Sequence, residues 1–224
     1  MPRVLIFGTS YVDRQERKWL LDQWVRINRK LNPECDLLIV DTPGGFDFEV
    51  DVETYRFEDN IGHLTRTNKD GWGRAFTHGV EHGIAAGHDY IVHIETDLLF
   101  ARPVMPIISL MDGFKLPWLS TQANPHSYME TGLFFMDAER TDDYGVIEQY
   151  NWENPPEDRM FFPERRMRAL LGEYLFYLPL QGMRDDVAHG RVDLRKSFPY
   201  GMDWLTHSTV ACYRTFMDMN GLLE

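Results

Sequence analysis

Residues 89–97 read Asp89-Tyr90-Ile91-Val92-His93-Ile94-Glu95-Thr96-Asp97. The apolar run from Tyr90 to Ile94, interrupted only by His93, is the pattern of a short strand buried on both faces. His93 inside such a run reads as a hydrogen-bonded core histidine. Side chains alternate along an extended chain, so Glu95 and Asp97, one residue apart, project to the same side at the C-terminal end of the strand. Two carboxylates placed together raise each other's pKa unless a cation joins them, and a hard divalent ion such as Mn²⁺ or Mg²⁺ takes oxygen ligands of this kind. A solvated strand end has the same three residues, so the flanking sequence has to decide between the two.

Upstream, Trp72, Phe76, Val80 and Ile84 recur every fourth residue, and Gly79, Gly83 and Gly87 form a thin stripe on the same predicted helix. Gly87 suits its C-terminal cap. Further back, residues 3–8 are a short apolar run closed by Gly8, and residues 14–31 carry Leu20, Trp24, Ile27 and Leu31 at helical spacing before Asn32-Pro33 stops the pattern. Residues 36–40 predict a second strand, ended by the turn formers Asp41-Thr42-Pro43-Gly44-Gly45, and a short extended piece lies within residues 54–57. Strands alternating with helices over the first 95 or so residues predict an α/β fold with a mostly parallel central sheet flanked by helices, and ligands bind such sheets at the carboxyl ends of the strands.

Downstream the pattern is less regular. It predicts a short helix over 105–111, strands over 118–121 and 132–136, a helix over 164–173, a strand over 174–178 and a closing helix over 209–220. This half is expected to pack on the same sheet. The Arg-rich run Arg159, Arg165, Arg166 and Arg168 reads as a solvated helix face.

A chain of 224 residues is long enough for one sizeable core, and the expectation is a single domain with a nucleotide-binding half (1–100) and an acceptor-binding, metal-closing half (101–224). The net charge of −12 argues against a nucleic-acid partner, which would need a basic face. An acidic protein can still hold a diphosphate through a divalent cation. No apolar run approaches the ~20 residues of a membrane span. Cys35 and Cys212 show no paired metal-ligand spacing and read as free thiols in a reducing compartment, with the cytoplasm as the default.

The run Gly71-Trp72-Gly73-Arg74-Ala75-Phe76, followed by Ala85-Ala86-Gly87-His88-Asp89-Tyr90-Ile91 and then Glu95-Thr96-Asp97, resembles the GT-A fold (Rossmann-like) nucleotide-sugar glycosyltransferases in order and spacing. Those enzymes end a strand in an Asp-x-Asp motif that holds a metal and the donor's diphosphate. Here the first acid is Glu, one methylene longer. The resemblance implies Asp97 as a direct metal ligand and Glu95 as a contact to the ribose or, through water, to the metal, with Thr96 beside them. It implies Mn²⁺ or Mg²⁺ as cofactor, a nucleotide-diphosphate sugar as donor, with a UDP-sugar foremost, and a glycan or other hydroxyl as acceptor.

Other positions follow from the same resemblance. Thr9, Ser10 and Tyr11, after the first strand, fall where the family binds base and ribose, and Asp41 follows the second strand. Arg66, Lys69, Asp70 and Arg74 precede or open the helix facing the acidic motif, where a guanidinium can pair with phosphate. Met129-Glu130-Thr131-Gly132 looks like the strand entry that brings backbone near the sugar, although a plain buried strand reads the same. Pro156-Glu157-Asp158 resembles the acidic pair beside the acceptor; Asp158, with Glu157 next to it, is the candidate general base, and a base there implies inversion. The tripeptide also suits a first helical turn. His207, before Ser208 and Thr209 at the start of the last helix, matches the C-terminal histidine that closes the metal site, with His189 as the alternative. The expected reaction is metal-dependent transfer of a sugar to a hydroxyl. A non-catalytic nucleotide-sugar-binding or glycan-assembly protein and a sugar nucleotidyltransferase are the rivals; Gly8-Thr9-Ser10-Tyr11-Val12-Asp13 lacks the glycine-rich basic loop of the latter.

Overall fold

The structure, a computed structural model, describes residues 1–62, 69–122, 129–154, 163–184, 194–197 and 200–223. The central sheet is built from β1 (Val4–Ser10), β2 (Asp36–Asp41), β3 (Glu53–Arg56), β4 (Tyr90–Ile94), β6 (Trp118–Gln122), β7 (Met129–Asp137) and β8 (Leu175–Tyr177), in the order β3-β2-β1-β4-β7-β6-β8. Six of these strands share one direction, and β7 alone runs against its neighbours β4 and β6. The sheet is therefore mostly parallel, as the alternating pattern predicts.

Both faces are covered, and the strand residues divide between them with period two. Val4, Ile6, Val92, Ile94, Leu133 and Phe135 enter one core, where Trp24 of α1 (Gln15–Leu31) and Ile108 of α3 (Met105–Phe114) pack. Leu5, Phe7, Ile91, Phe134 and Met136 enter the other, against Phe76 and Val80 of α2 (Gly71–Ala85). That second face also holds Val146 and Tyr150 of α5 (Val146–Tyr150) and Met167 of α6 (Pro163–Leu171). Two further helices, α4 (Ala138–Asp143) and α7 (Leu194–Ser197), are short. The glycine stripe on α2 is a contact surface: a Cβ at Gly79 would lie 2.3 Å from the Phe7 ring, and one at Gly83 would lie 2.7 Å from Ile91. Only a bare backbone allows the helix to sit this close to β1 and β4.

The second half departs from expectation in one respect that matters for function. β5 (Leu98–Phe100), β9 (Gly182–Arg184) and β10 (Trp204–Thr206) leave the central sheet and form a separate three-stranded sheet in the order β5-β10-β9. Each strand is only three residues long, too short for an alternating pattern to register in sequence. The closing helix α8 (Val210–Met219) follows directly, capped by the Thr209 hydroxyl, which accepts from Cys212 N. Among the described residues no helix is long and apolar enough to cross a membrane.

Candidate metal and nucleotide-sugar site

β4 leaves the core at Ile94 and the chain is immediately pinned. Glu95 N donates to Gly132 O at 2.8 Å, and Thr96 donates to Thr9 O through both its backbone N (3.2 Å) and its hydroxyl (3.1 Å). Thr96 is thereby turned under β1 and buried, and Leu98 N closes the turn on Glu95 O. Glu95 and Asp97 are left half-buried at the C-terminal edge of the sheet.

The small sheet brings the third member. β10 pairs antiparallel with β5, Thr206 opposite Leu98, so one step further along the ladder His207 comes beside Asp97. The Thr206 hydroxyl donates to Asp97 O (3.2 Å) and Oδ1 (3.4 Å), and Tyr213 Oη from α8 donates to Asp97 O. His207 is held at φ 54°, a left-handed conformation that costs a non-glycine residue about 1 kcal/mol or more and that tends to mark functional sites. Its Nε2 lies 4.0 Å from Asp97 Oδ2. One ligand atom from each of Glu95, Asp97 and His207 lies within 4.8 Å of the others.

The surroundings are rich in carboxylates. Glu95 Oε1 accepts from the indole N–H of Trp72 at 2.6 Å, and that ring stacks on Phe76 at 4.8 Å. Glu130, on β7, is fully buried; its Oε1 accepts from Gly132 N at 2.9 Å, while Oε2 has no hydrogen-bond partner among the described residues. Arg184, at the end of β9, donates through Nη1 to Glu164 Oε1 (3.1 Å), with Glu130 Oε1 at 3.6 Å, and through Nη2 to His207 Nε2 (3.2 Å). Burial, followed by the charges of Asp97 and Glu130, pushes the Glu95 carboxyl up to about 8 against the opposing pull of Arg184. Burial pushes Glu130 up to about 7, again opposed by Arg184. Burial pulls the Arg184 pKa down, but Glu130, Glu95 and Glu164 more than reverse this and hold it firmly protonated. Three carboxyls, Glu130, Glu95 and Glu164, thus share one guanidinium. A donor set of two carboxylates and an imidazole in an under-neutralised pocket fits a divalent cation such as Mn²⁺ or Mg²⁺.

No family model matches the sequence, and no curated protein does. Solved structures do. The galactosyltransferase LgtC in complex with donor and acceptor sugar analogues superimposes with a TM-score of 0.59 at 10% identity, covering 99% of this chain and 96% of LgtC. The glycosyltransferase GlyE of Streptococcus pneumoniae TIGR4 gives 0.57 at 8% identity, covering 100% of this chain and 61% of GlyE. TarS of S. aureus gives 0.52 at 10% identity, covering 79% of this chain and 58% of TarS residues 1–349.

This chain has the GT-A fold.

Within the GT-A fold the expected site residues fall into four groups. Glu95, Asp97 and His207 come together as described. Ser10 and Asp41, register partners at the ends of β1 and β2, are both buried, and the Ser10 hydroxyl interacts with the Asp41 carboxylate. Asp41 Oδ2 is paired with Arg56 Nε at 2.9 Å; burial raises the carboxyl's pKa and Arg56 opposes it. Tyr11, beyond β1, is partly exposed, with Arg17 over its ring at 5.1 Å. Lys69 is exposed ahead of α2. Arg66, Glu157, Asp158 and His189 lie outside the described residues.

Asp70, Arg74 and Thr96 have other work. Asp70 is 1% exposed: Oδ1 caps α2 by accepting from Gly73 N (2.7 Å), and Oδ2 accepts from Tyr150 Oη (2.8 Å) and Arg166 Nη1 (2.5 Å). Both oxygens are therefore committed to joining α2, α5 and α6. Arg166 is consequently buried, which corrects the expectation of a solvated basic face: the helix turns this one arginine inward to neutralise Asp70. Arg74 donates to Asp59 Oδ1 (2.7 Å) and O (2.5 Å) and lies over the Phe57 ring at 4.0 Å. Its guanidinium is occupied there rather than at the acidic motif.

Trp72, Glu164 and Arg184 escape the sequence reading. Trp72 counts as one more apolar residue in the helical stripe, and nothing in its spacing shows that its N–H holds Glu95. Arg184 sits on a three-residue strand with no periodicity. Glu130 has a visible signal, an acid inside an apolar run.

His93 is wholly buried beneath this site. Its Nδ1 donates to Thr131 O (2.8 Å), so Nε2 is the acceptor for the Thr9 hydroxyl (3.0 Å) and the ring is neutral. Burial pushes its pKa down to about 3. Below pH ~6.5 the unfolded chain takes up a proton that the native chain refuses until about pH 3, so stability falls on acidification through that window. The expected slope is about 1.4 kcal/mol per pH unit from this group. Denaturant midpoints between pH 6.5 and 5 should lose that component in His93→Gln, and an unchanged slope in the variant would refute the assignment.

Proposed function

We propose that the chain is a metal-dependent glycosyltransferase that moves a sugar from a nucleotide-diphosphate sugar, a UDP-sugar foremost, to a hydroxyl acceptor. The observation that carries this reading is the convergence of Glu95, Asp97 and His207 at the C-terminal edge of a GT-A sheet. These three residues would hold Mn²⁺ or Mg²⁺. When bound, such an ion neutralises charge that grows on the leaving diphosphate. The buried Ser10 hydroxyl and Asp41 carboxylate at the ends of β1 and β2 suit the hydroxyl donors and acceptors of a nucleoside, with Thr9 and Tyr11 adjacent. Glu130, whose Oε2 has no hydrogen-bond partner among the described residues, lies next to Glu95. A donor-binding half (1–100) and an acceptor-binding half (101–224) are part of this proposal, and the fold shared with LgtC, solved in complex with donor and acceptor sugar analogues, suits it. Cys35 and Cys212 are unpaired, which suits a reducing, cytoplasmic setting.

Acceptor activation is assigned to Asp158 with Glu157 beside it, as carboxylates able to take the hydroxyl's proton, and inversion at the anomeric carbon follows from that role. Asp158→Asn should leave donor binding intact and lower transfer by ~100-fold or more. Unchanged transfer would remove Asp158 from the mechanism, and a product with retained configuration would remove the inverting assignment. The activity itself is tested by incubating nucleoside diphosphate sugars with the chain, with Mn²⁺ or with EDTA. Metal-dependent release of nucleoside diphosphate is expected; binding of UDP with no release from any donor sugar would identify a non-catalytic binder.

A further inference from the structure

Resting on the metal reading above, we infer that Arg184 is a competitor for the metal site, a resident guanidinium that must release His207 before a cation can be fully coordinated. The argument is about lone pairs. A neutral imidazole has one N–H and one acceptor nitrogen, and the acceptor has a single in-plane lone pair. Arginine only donates, so the 3.2 Å contact from Arg184 Nη2 fixes His207 Nε2 as the acceptor. Nε2 is also the atom that faces Asp97 Oδ2 at 4.0 Å. Coordination through Nε2 and the bond from Arg184 use the same electron pair and exclude one another.

The guanidinium is built to give up one contact without leaving. Nη1 donates to Glu164 Oε1 at 3.1 Å and lies 3.6 Å from Glu130 Oε1, so the positive charge stays anchored when Nη2 lets go of the imidazole. Without a cation, the arginine offsets the charges of Glu130, Glu95 and Glu164. With one, His207 changes partner and Arg184 keeps its acids. Metal affinity at this site is therefore set by an exchange, and Arg184 is a positioning residue that tunes it through His207.

Arg184→Lys separates the two roles, because an ammonium can serve Glu130 and Glu164 but has no second nitrogen on a rigid fork to reach the imidazole. Mn²⁺ affinity of the full chain, read by the loss of free-ion electron paramagnetic resonance signal, is expected to rise about tenfold in Arg184→Lys, the scale of a hydrogen bond to a charged group. In a His207→Ala background the same substitution should bring no gain. A gain that persists without His207, or no gain at all, would overturn the inference. If no Mn²⁺ is taken up by the wild type or any variant, the metal reading itself fails, a distinct result. Should Arg184→Lys not fold, the wild-type chain labelled with ¹⁵N at histidine and arginine supplies the reading: Mg²⁺ must shift His207 Nε2 and the Arg184 Nη resonances together. A His207 shift with Arg184 unmoved would overturn the exchange.

Discussion

Asp97→Asn is expected to abolish metal-dependent nucleotide binding, lowering Mn²⁺ affinity by about a hundredfold or more and donor turnover by on the order of 10²–10³. The amide keeps the side chain's shape but removes the anionic oxygen that a hard divalent ion needs. The fold should be untouched, because what the scaffold grips is Asp97 O, which accepts from the hydroxyls of Thr206 and Tyr213. Melting temperature should therefore move by no more than about 2 °C, the scale of a substitution that breaks no buried contact. Calorimetric titration of Mn²⁺ with and without UDP checks this. Wild-type affinity in the variant would take Asp97 out of the site.

Asp70→Ala should have the opposite signature. It removes the cap of α2 and leaves Arg166, only 8% exposed, without its counter-charge. Breaking a buried ion pair from one side costs about 3–5 kcal/mol, and losing a helix cap adds about 1. For a chain of this size the melting temperature should fall by roughly 10–15 °C. Mn²⁺ affinity in the folded fraction should stay near wild type, since neither Asp70 nor Arg166 touches the Glu95–Asp97–His207 cluster. A variant that melted normally but no longer bound nucleotide would return Asp70 to the donor site. Thermal unfolding paired with Mn²⁺ titration distinguishes the two.

These two aspartates show what a sequence can reveal of such a site. Asp97 was legible because a buried apolar run that ends in acids delivers them to the carboxyl edge of the sheet; the way the two side chains then point is set by the turn at residues 95–98 and not by strand alternation. The sheet itself was legible too, since βα alternation implies parallel strands and a ligand edge. His207 was legible only through resemblance. What carries it to Asp97 is the antiparallel pairing of β5 with β10, across more than a hundred residues, and strands of three residues leave no periodic trace.

Asp70 shows the opposite failure. A carboxylate at the mouth of a helix facing the acidic motif looks like a ligand-binding group, and only the approach of Tyr150 and Arg166 from later elements reveals its structural employment. The same long-range pairing hid Arg166, which a polar helix face appeared to leave in solvent, and Arg184, whose neighbours Glu130, Glu164 and His207 come from three different segments. Charge partners distant in sequence have no spacing rule comparable to that of a helix or strand.

The most direct test of the metal site is anomalous diffraction from crystals of the full chain soaked with Mn²⁺ and UDP. The account predicts one manganese peak at bonding distance from an Asp97 carboxylate oxygen and a His207 nitrogen, with the UDP diphosphate on its other side. UDP bound with no manganese at Asp97, or manganese held elsewhere on the chain, would contradict it.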